Sequence, residues 1–344
     1  MPVGMRQLLK RMPGAVPAVR RVRWSWQRLS RHHIPGLRHG YPPNSDVYQA
    51  PDWWIVDYEL YSPPGLPRDL QPGLRLRLRG PDPGELVPGR YIACVGAAQT
   101  FGRFCREPFP ALLSKDLGIA TVNLGISGAG PQHFPRHPEL IRLMNESALV
   151  VLQVMSARNE DNSLFEGGGL GALKDRSTGE RVRAEAAYDR LLASGDQALV
   201  TSIVGETRET WIASYERLLS LIRVPALLLW FSVREPAYTE RYDSVPGLFG
   251  DFPQLVNEEM VESVASHCDA YAACVSARGR PQQLRNRFTG KPTRVVIPGD
   301  RPWSNNYYYP TPQMHQDAAA VLAPVCRRLW IAVSSSYEAE RNLR

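Results

Sequence analysis

Polar residues that could do chemistry gather just after the short apolar runs of this chain. The run YIACVG (91–96) is followed by Ala97, Ala98, Gln99 and Thr100. The run ATVNLG (120–125) contains Asn123 and Gly125 and is followed by Ser127. ALVVLQVM (148–155) leads into Ser156, Ala157, Arg158 and Asn159, and Tyr309 and His315 stand at the start of a helical stretch near the C terminus. In open α/β sheets, ligands bind beyond the carboxyl ends of the strands. These are therefore the positions expected to meet a ligand.

Each residue type suggests a role, and each has a plainer alternative. His315 suits a general base, because a helix N terminus disfavours imidazolium and keeps the ring neutral. The plainer reading is a surface His on a first helical turn. Asp317 does not serve as its partner, since residues two apart on a helix do not face each other. Ser156 ends a strand and is the candidate cleft hydroxyl. Thr100 reads either as a ligand contact or as a helix N-cap, and Ser127 as a cleft residue or a plain turn residue. Arg158 offers a bidentate fork for a carboxylate, sulfate or phosphate, against a local pair with Glu160 or Asp161. Gln99 could bind a substrate hydroxyl or amide, against a hydrogen bond within its own turn. Tyr309 closes the aromatic stretch 303–309, which suits sugar stacking or simply packs its loop.

Blocks at these strand ends resemble those of the SGNH/GDSL hydrolase superfamily. Its first block, G-D-S-x-T-x-G, is matched by Gly96, Thr100 and Gly102, with Ala97 and Ala98 in place of the Asp and the nucleophilic Ser. Asn123, Gly125 and Gly128 fit the second block, and Ser156-Ala157-Arg158-Asn159 loosely matches the third, G-x-N-D. His315 fits the His of the last block, D-x-x-H, with Pro312 where its Asp would stand. The chain is also similar to a capsule-biosynthesis family, through Gly96 and Gln99 of its G-N-C-Q block, and to bacterial proteins associated with surface-polysaccharide genes. The resemblance covers residues 91–330. It implies a three-layer α/β fold around a mostly parallel five-stranded sheet, with Asn123, Gly125 and Asn159 near the substrate.

The elements that must position these residues follow the same rhythm. Short, continuously apolar strands alternate with amphipathic helices, which argues for a parallel sheet covered on both faces. PALLLWFS (225–232) and DAYAACVS (269–276) complete the five strands. Ahead of them lie a basic arm (1–45) and a Pro/Gly-rich lead-in or cap (46–90) with a half-exposed LRLRLRG strand. The glycine-rich insert 159–206 reads as a mobile active-site loop or lid, and 331–344 as a tail. The GGGLGAL run lacks the Lys-Ser/Thr of a phosphate-binding loop.

Composition narrows the classes. Of a formal net charge of +7, nine positive side chains and no acid fall in residues 1–44, so the remainder is acidic by two. A uniformly basic nucleic-acid-binding domain is disfavoured, while the arm could lie on an anionic membrane. The five Cys include no CxxC pair, so neither a disulfide framework nor a zinc site is expected, and Cys94 reads as a buried apolar residue. No window reaches the length of an apolar membrane span, and the start lacks an uninterrupted apolar signal core. A cytoplasmic chain, peripheral to a membrane at most, is expected, with no metal and no cofactor.

Two functions fit this reading. One is direct transfer, or hydrolysis, on a carbohydrate or glycolipid, with His315 as base and no enzyme nucleophile. The other is a non-catalytic carbohydrate- or anion-binding protein built on the same scaffold. Alanine at position 98 removes the oxygen that a Ser-His-Asp mechanism needs.

Overall fold

The structure is a computed structural model that describes Tyr48 and residues 52–62, 69–71, 74–75, 77–295 and 302–342. The basic arm, and with it the expected membrane contact of residues 1–45, lies outside the described residues.

The expected five strands form: β3 (Tyr91–Gly96), β4 (Ala120–Gly125), β5 (Leu149–Gln153), β6 (Ala226–Ser232) and β7 (Ala270–Val275). They pair in parallel in the order β4-β3-β5-β6-β7. Two short strands from the lead-in, β1 (Leu60–Tyr61) and β2 (Leu78–Arg79), extend the sheet past β4 in antiparallel fashion, giving seven strands in the order β1-β2-β4-β3-β5-β6-β7. The lead-in is thus built into the main sheet rather than set apart as a cap. Leu78 and Arg79 are both buried, which departs from the half-exposed strand expected of LRLRLRG.

Alternation of side chains along each strand feeds two separate cores. Ala93, Val95, Val150, Leu152, Leu228 and Trp230 point to one face. Ile92, Cys94, Val151, Leu227, Leu229 and Phe231 point to the other. The first core is closed by α5 (Gln197–Leu221), whose Trp211, Tyr215 and Leu218 are sealed inside. The second is closed by α2 (Phe109–Leu117) and by α8 (Pro312–Asn342). Edge strand β7 is covered on one side only, so Ala272 and Cys274 are buried while Tyr271 and Val275 are exposed. Helices on both faces of a mainly parallel sheet make this a three-layer α/β fold.

Two expectations are corrected. The insert 159–206 carries regular structure: an antiparallel three-stranded sheet (Phe165–Glu166, Leu173–Asp175, Arg181–Val182), helix α4 (Ala184–Ala193) and the start of α5. It is tied down by Asp161, whose Oδ1 accepts the N–H of Gly167 and Gly168, and by Asn162, whose Oδ1 accepts those of Leu164 and Phe165. The presumed tail is a continuation of α8. Its segment Pro312–Ser335 is long and apolar enough to cross a membrane by length and composition, although Met314, Ala318, Leu322 and Cys326 face the core.

Candidate functional site

The site begins where β3 ends. A Cβ on Gly96 would lie 2.3 Å from Thr100 Oγ1 and 2.4 Å from Gln153 Oε1, so only glycine fits. The chain then turns into the single-turn helix α1 (Ala98–Phe101). Thr100 Oγ1 donates to Gln153 Oε1 at 2.6 Å, and the same oxygen accepts the N–H of Ala97 at 3.2 Å. From β4, Asn123 Nδ2 donates to the carbonyl of Thr100 and its Oδ1 accepts the Gly125 N–H, both at 2.9 Å. Gly125 is pressed against α1, where a Cβ would come within 2.2 Å of the Phe101 nitrogen.

These contacts correct three of the ligand contacts expected from sequence. Thr100, Asn123 and Gly125 lie beneath the turn and hold it, and their polar groups are spent on one another and on Gln153. The turn they brace presents Ala97, Ala98 and Gln99 to a cavity of about 110 Å³. Ser127, Ser156, Arg158, Asn159 and Tyr309 line the same cavity, so six of the ten expected residues converge there, counting Gln99. Tyr308, from the aromatic stretch 303–309, joins them, as do Tyr48 and Phe252 from segments that motif reading did not single out.

Ala98 offers the cavity only a methyl group. The Ser156 hydroxyl is turned to the backbone, donating to the carbonyl of Gln254 at 3.4 Å and accepting the N–H of Arg158 at 3.3 Å. Ser127 Oγ donates to the Tyr48 hydroxyl at 2.6 Å. Two acceptors are left over: Gln99 Oε1 and Asn159 Oδ1 are buried with no hydrogen-bond partner among the described residues, on side chains 2% and 5% exposed. An unmet buried acceptor costs about 1–3 kcal/mol, and both of these belong to residues that line the cavity.

The positive side of the cavity is Arg158. Its Nη1 donates to Glu185 at 2.7 Å, not to the neighbouring acids Glu160 or Asp161, and Arg183 shares that same carboxylate at 3.5 Å. Behind Tyr309 sits a buried pair missed by sequence reading. Arg103 reaches Asp52 through Nε at 2.8 Å and Nη2 at 2.9 Å, and its Nη1 donates to the Tyr309 hydroxyl at 3.0 Å. Burial opposes the Arg103 charge, but Tyr309, Asp52 and Tyr48 around it hold its pKa above the ordinary value. The rings of Tyr48 and Phe104 pack on its guanidinium, 4.3 and 4.6 Å from centroid to Cζ. No local pattern announced Asp52 or Arg103, which are 51 residues apart.

His315, expected as the base, lies elsewhere. It is fully buried, does not line the cavity, and stacks at 6.2 Å on Phe109 and edge-on at 5.4 Å to Phe231. Its Nδ1 accepts the N–H of Phe109 at 3.1 Å, at the first turn of α2. Burial, helped by Arg79, lowers its pKa to about 3. The expectation failed because His315 sits one turn inside α8, with its side chain directed at α2. Asn306 Oδ1 accepts the N–H groups of Tyr308 and Tyr309 at 3.1 and 2.8 Å, which places both rings at the cavity.

Another buried acid adjoins the site. Glu160 Oε2 accepts from Ser214 Oγ at 2.8 Å, while Oε1 has no partner among the described residues. Burial raises its pKa to about 8. Groups of three or more His, Cys, Asp or Glu able to hold a metal do not occur among the described residues.

The family model described as "Domain of unknown function (DUF6473)" matches residues 72–166 and 190–330. No curated protein matches the sequence. Among solved structures, a carbohydrate esterase family 2 enzyme with a carbohydrate-binding domain, from Corynascus thermopiles (Myceliophthora fergusii), is similar at 13% identity and a TM-score of 0.38, over 78% of this chain and 79% of that one. A family two carbohydrate esterase from Clostridium thermocellum is similar at 10% identity and a TM-score of 0.35, over 70% and 64%. A catalytic mutant of an acetylxylan esterase from Geobacillus stearothermophilus is similar at 13% and 0.33, over 68% and 93%. Likeness this distant carries no conclusion about chemistry.

Proposed function

This chain belongs to the DUF6473 family, and we propose that its strand-end cavity binds a small hydroxyl-rich ligand of the carbohydrate class without forming a covalent bond to it. The observation that carries this reading is the pair of buried, unmet acceptors, Gln99 Oε1 and Asn159 Oδ1, on two residues that line one cavity. Sugar hydroxyls both donate and accept, so they satisfy these amides in either amide orientation. The Tyr308 and Tyr309 rings supply apolar surface for a sugar face.

Covalent catalysis finds no support here. Ala98 has no nucleophilic atom, Ser156 is turned to the backbone, and the ring of His315 is sealed away from the cavity. The non-catalytic reading of the scaffold is therefore favoured over His-assisted transfer. Titration calorimetry of the full chain against a panel of monosaccharides tests it, with Gln99→Leu and Asn159→Leu as paired variants. Saturable binding, weakened by roughly tenfold or more in each variant, is expected from the loss of one buried hydrogen bond. Binding left intact in both variants refutes the assignment.

A further inference from the structure

Two aromatic rings stand out of the surface at residues that do not line the cavity. Trp54 and Phe288 are each 60% exposed, and their ring centroids lie 5.8 Å apart. Single exposed apolar side chains are common on soluble proteins, whereas adjoining ones mark a contact surface. These two are braced from beneath. Trp53 is buried, stacks on Trp54 at 6.1 Å and packs on Phe288 at 5.2 Å. The Arg287 guanidinium lies 3.5 Å from the centroid of the Trp53 ring, and the Arg287 N–H donates to the Trp54 carbonyl at 2.8 Å. Asn286 Oδ1 accepts the N–H groups of Phe288 and Thr289 at 2.9 and 3.1 Å, which sets Phe288 on a tight turn. The charge carried by that segment has one sign. Residues 282–295 include Arg285, Arg287, Lys291 and Arg294 and no acid. Asp57 pairs with Arg287 at 3.1 Å, while Arg285, Lys291 and Arg294 are exposed. Residues 1–44, which precede Trp53 in the chain, hold nine Lys or Arg and no acid.

We propose that this patch seats on the surface of an anionic phospholipid bilayer, with Trp54 and Phe288 entering the boundary between headgroups and acyl chains and Arg285, Lys291 and Arg294 drawn to the lipid phosphates. Aromatic rings settle at that boundary, and each cation close to an anionic leaflet adds attraction. The complementarity is therefore double, apolar rings for the acyl layer and positive charge for the headgroups. A nucleic-acid strand would match the cations, but Trp54 and Phe288 meet at 74° and do not form the parallel platform on which successive bases stack. The proposal is independent of sugar binding, since Trp54, Arg285, Phe288, Lys291 and Arg294 do not line the cavity.

The test is flotation of the full chain with vesicles of phosphatidylcholine alone and of equal parts phosphatidylcholine and phosphatidylglycerol. The parent is expected to bind the anionic vesicles at least about tenfold more tightly, with the difference shrinking as salt is raised. Trp54→Ser combined with Phe288→Ser should weaken binding to the anionic vesicles by at least about tenfold. Arg285→Gln combined with Lys291→Gln should weaken it by roughly tenfold or more. Circular dichroism melts check that both double variants remain folded. Should the aromatic pair fail to fold, Phe288→Ser alone decides, with a loss of at least about threefold expected. A parent that stays with the aqueous phase, or that binds both vesicles equally, overturns the proposal. Anionic-vesicle binding undiminished by the aromatic substitutions overturns it too, and moves the membrane contact to another part of the chain. Binding to oligothymidylate that is lost in the aromatic variant while vesicle binding is kept overturns it in favour of nucleic acid.

Discussion

The Nδ1 of His315 accepts the backbone N–H of Phe109 at 3.1 Å, so a ring on α8 satisfies an amide in the first turn of α2. These two helices together close one face of the sheet. The imidazole is therefore a structural joint between them. Replacing it by alanine removes a buried ring and leaves the Phe109 amide without its partner. His315→Ala should lower stability by about 2–4 kcal/mol, measured by chemical denaturation. Ligand affinity at the cavity should remain within about threefold of the parent. Loss of binding in a variant that stays folded would contradict this assignment.

Three buried groups give stability a peaked dependence on pH. Burial depresses His315 and His133 to about 3, so both are neutral when folded but charged when unfolded below about pH 6.5. Their contribution is present above that value and is lost as the pH falls toward 3. Glu160 behaves oppositely: burial raises it to about 8. It is protonated when folded but ionised when unfolded above about pH 4.3, so its contribution is lost as the pH rises to 8. Between about 6.5 and 8 only Glu160 of these three differs in proton content, and stability should fall by up to about 1.4 kcal/mol per pH unit. Denaturation midpoints should peak near pH 6.5 in the parent. Glu160→Gln should abolish the alkaline decline, and a decline unchanged in that variant refutes the account.

Gly96 at the end of β3 and Gly125 at the end of β4, which pack against the first turn, should tolerate nothing larger. In Gly125→Ala the new methyl would meet the backbone of α1, with the Phe101 nitrogen at 2.2 Å, and backbone cannot swing aside as a side chain can. The expected cost is more than about 3 kcal/mol, with ligand binding lost because Gln99 is displaced along with α1. Gly118→Ala is the control: its left-handed φ of 66° adds strain, but no atom lies within 4 Å of the new Cβ. A loss of about 1 kcal/mol is expected there, with binding retained. Equal effects at the two positions in thermal melts would contradict the packing argument.

The buried Asp52–Arg103 pair should be costly to break. Asp52→Ala leaves the guanidinium buried with its carboxylate gone, which costs about 3–5 kcal/mol in comparable cases. It also frees Arg103 to shift away from Tyr309, so sugar affinity should fall in parallel, as read by calorimetry. A stable Asp52→Ala protein with parental affinity would show that the pair does not support the cavity.

Particular residues show how far the sequence reaches. The run YIACVG specifies a strand buried on both faces, because six consecutive apolar or small residues leave no solvent side. Its neighbours follow the same rule, so the parallel core of the fold is written locally. Local patterning also set Gln99, Ser127, Ser156, Arg158, Asn159 and Tyr309 beyond strand or loop ends, where the cavity forms. The tertiary structure alone decided the direction of each side chain. Thr100 and Asn123 read as cleft residues, but hydrogen bonds across three strands draw them beneath the turn. His315 reads as a base, but the packing of α8 on α2 turns it inward. Asp52 and Arg103 carry no mark in their own neighbourhoods, because their pairing exists only once residues 51 positions apart meet. Periodicity fixes which face an element buries, since that depends on its own repeat. Which polar atoms meet, and which stay unmet for a ligand, depends on contacts between elements that no local repeat encodes.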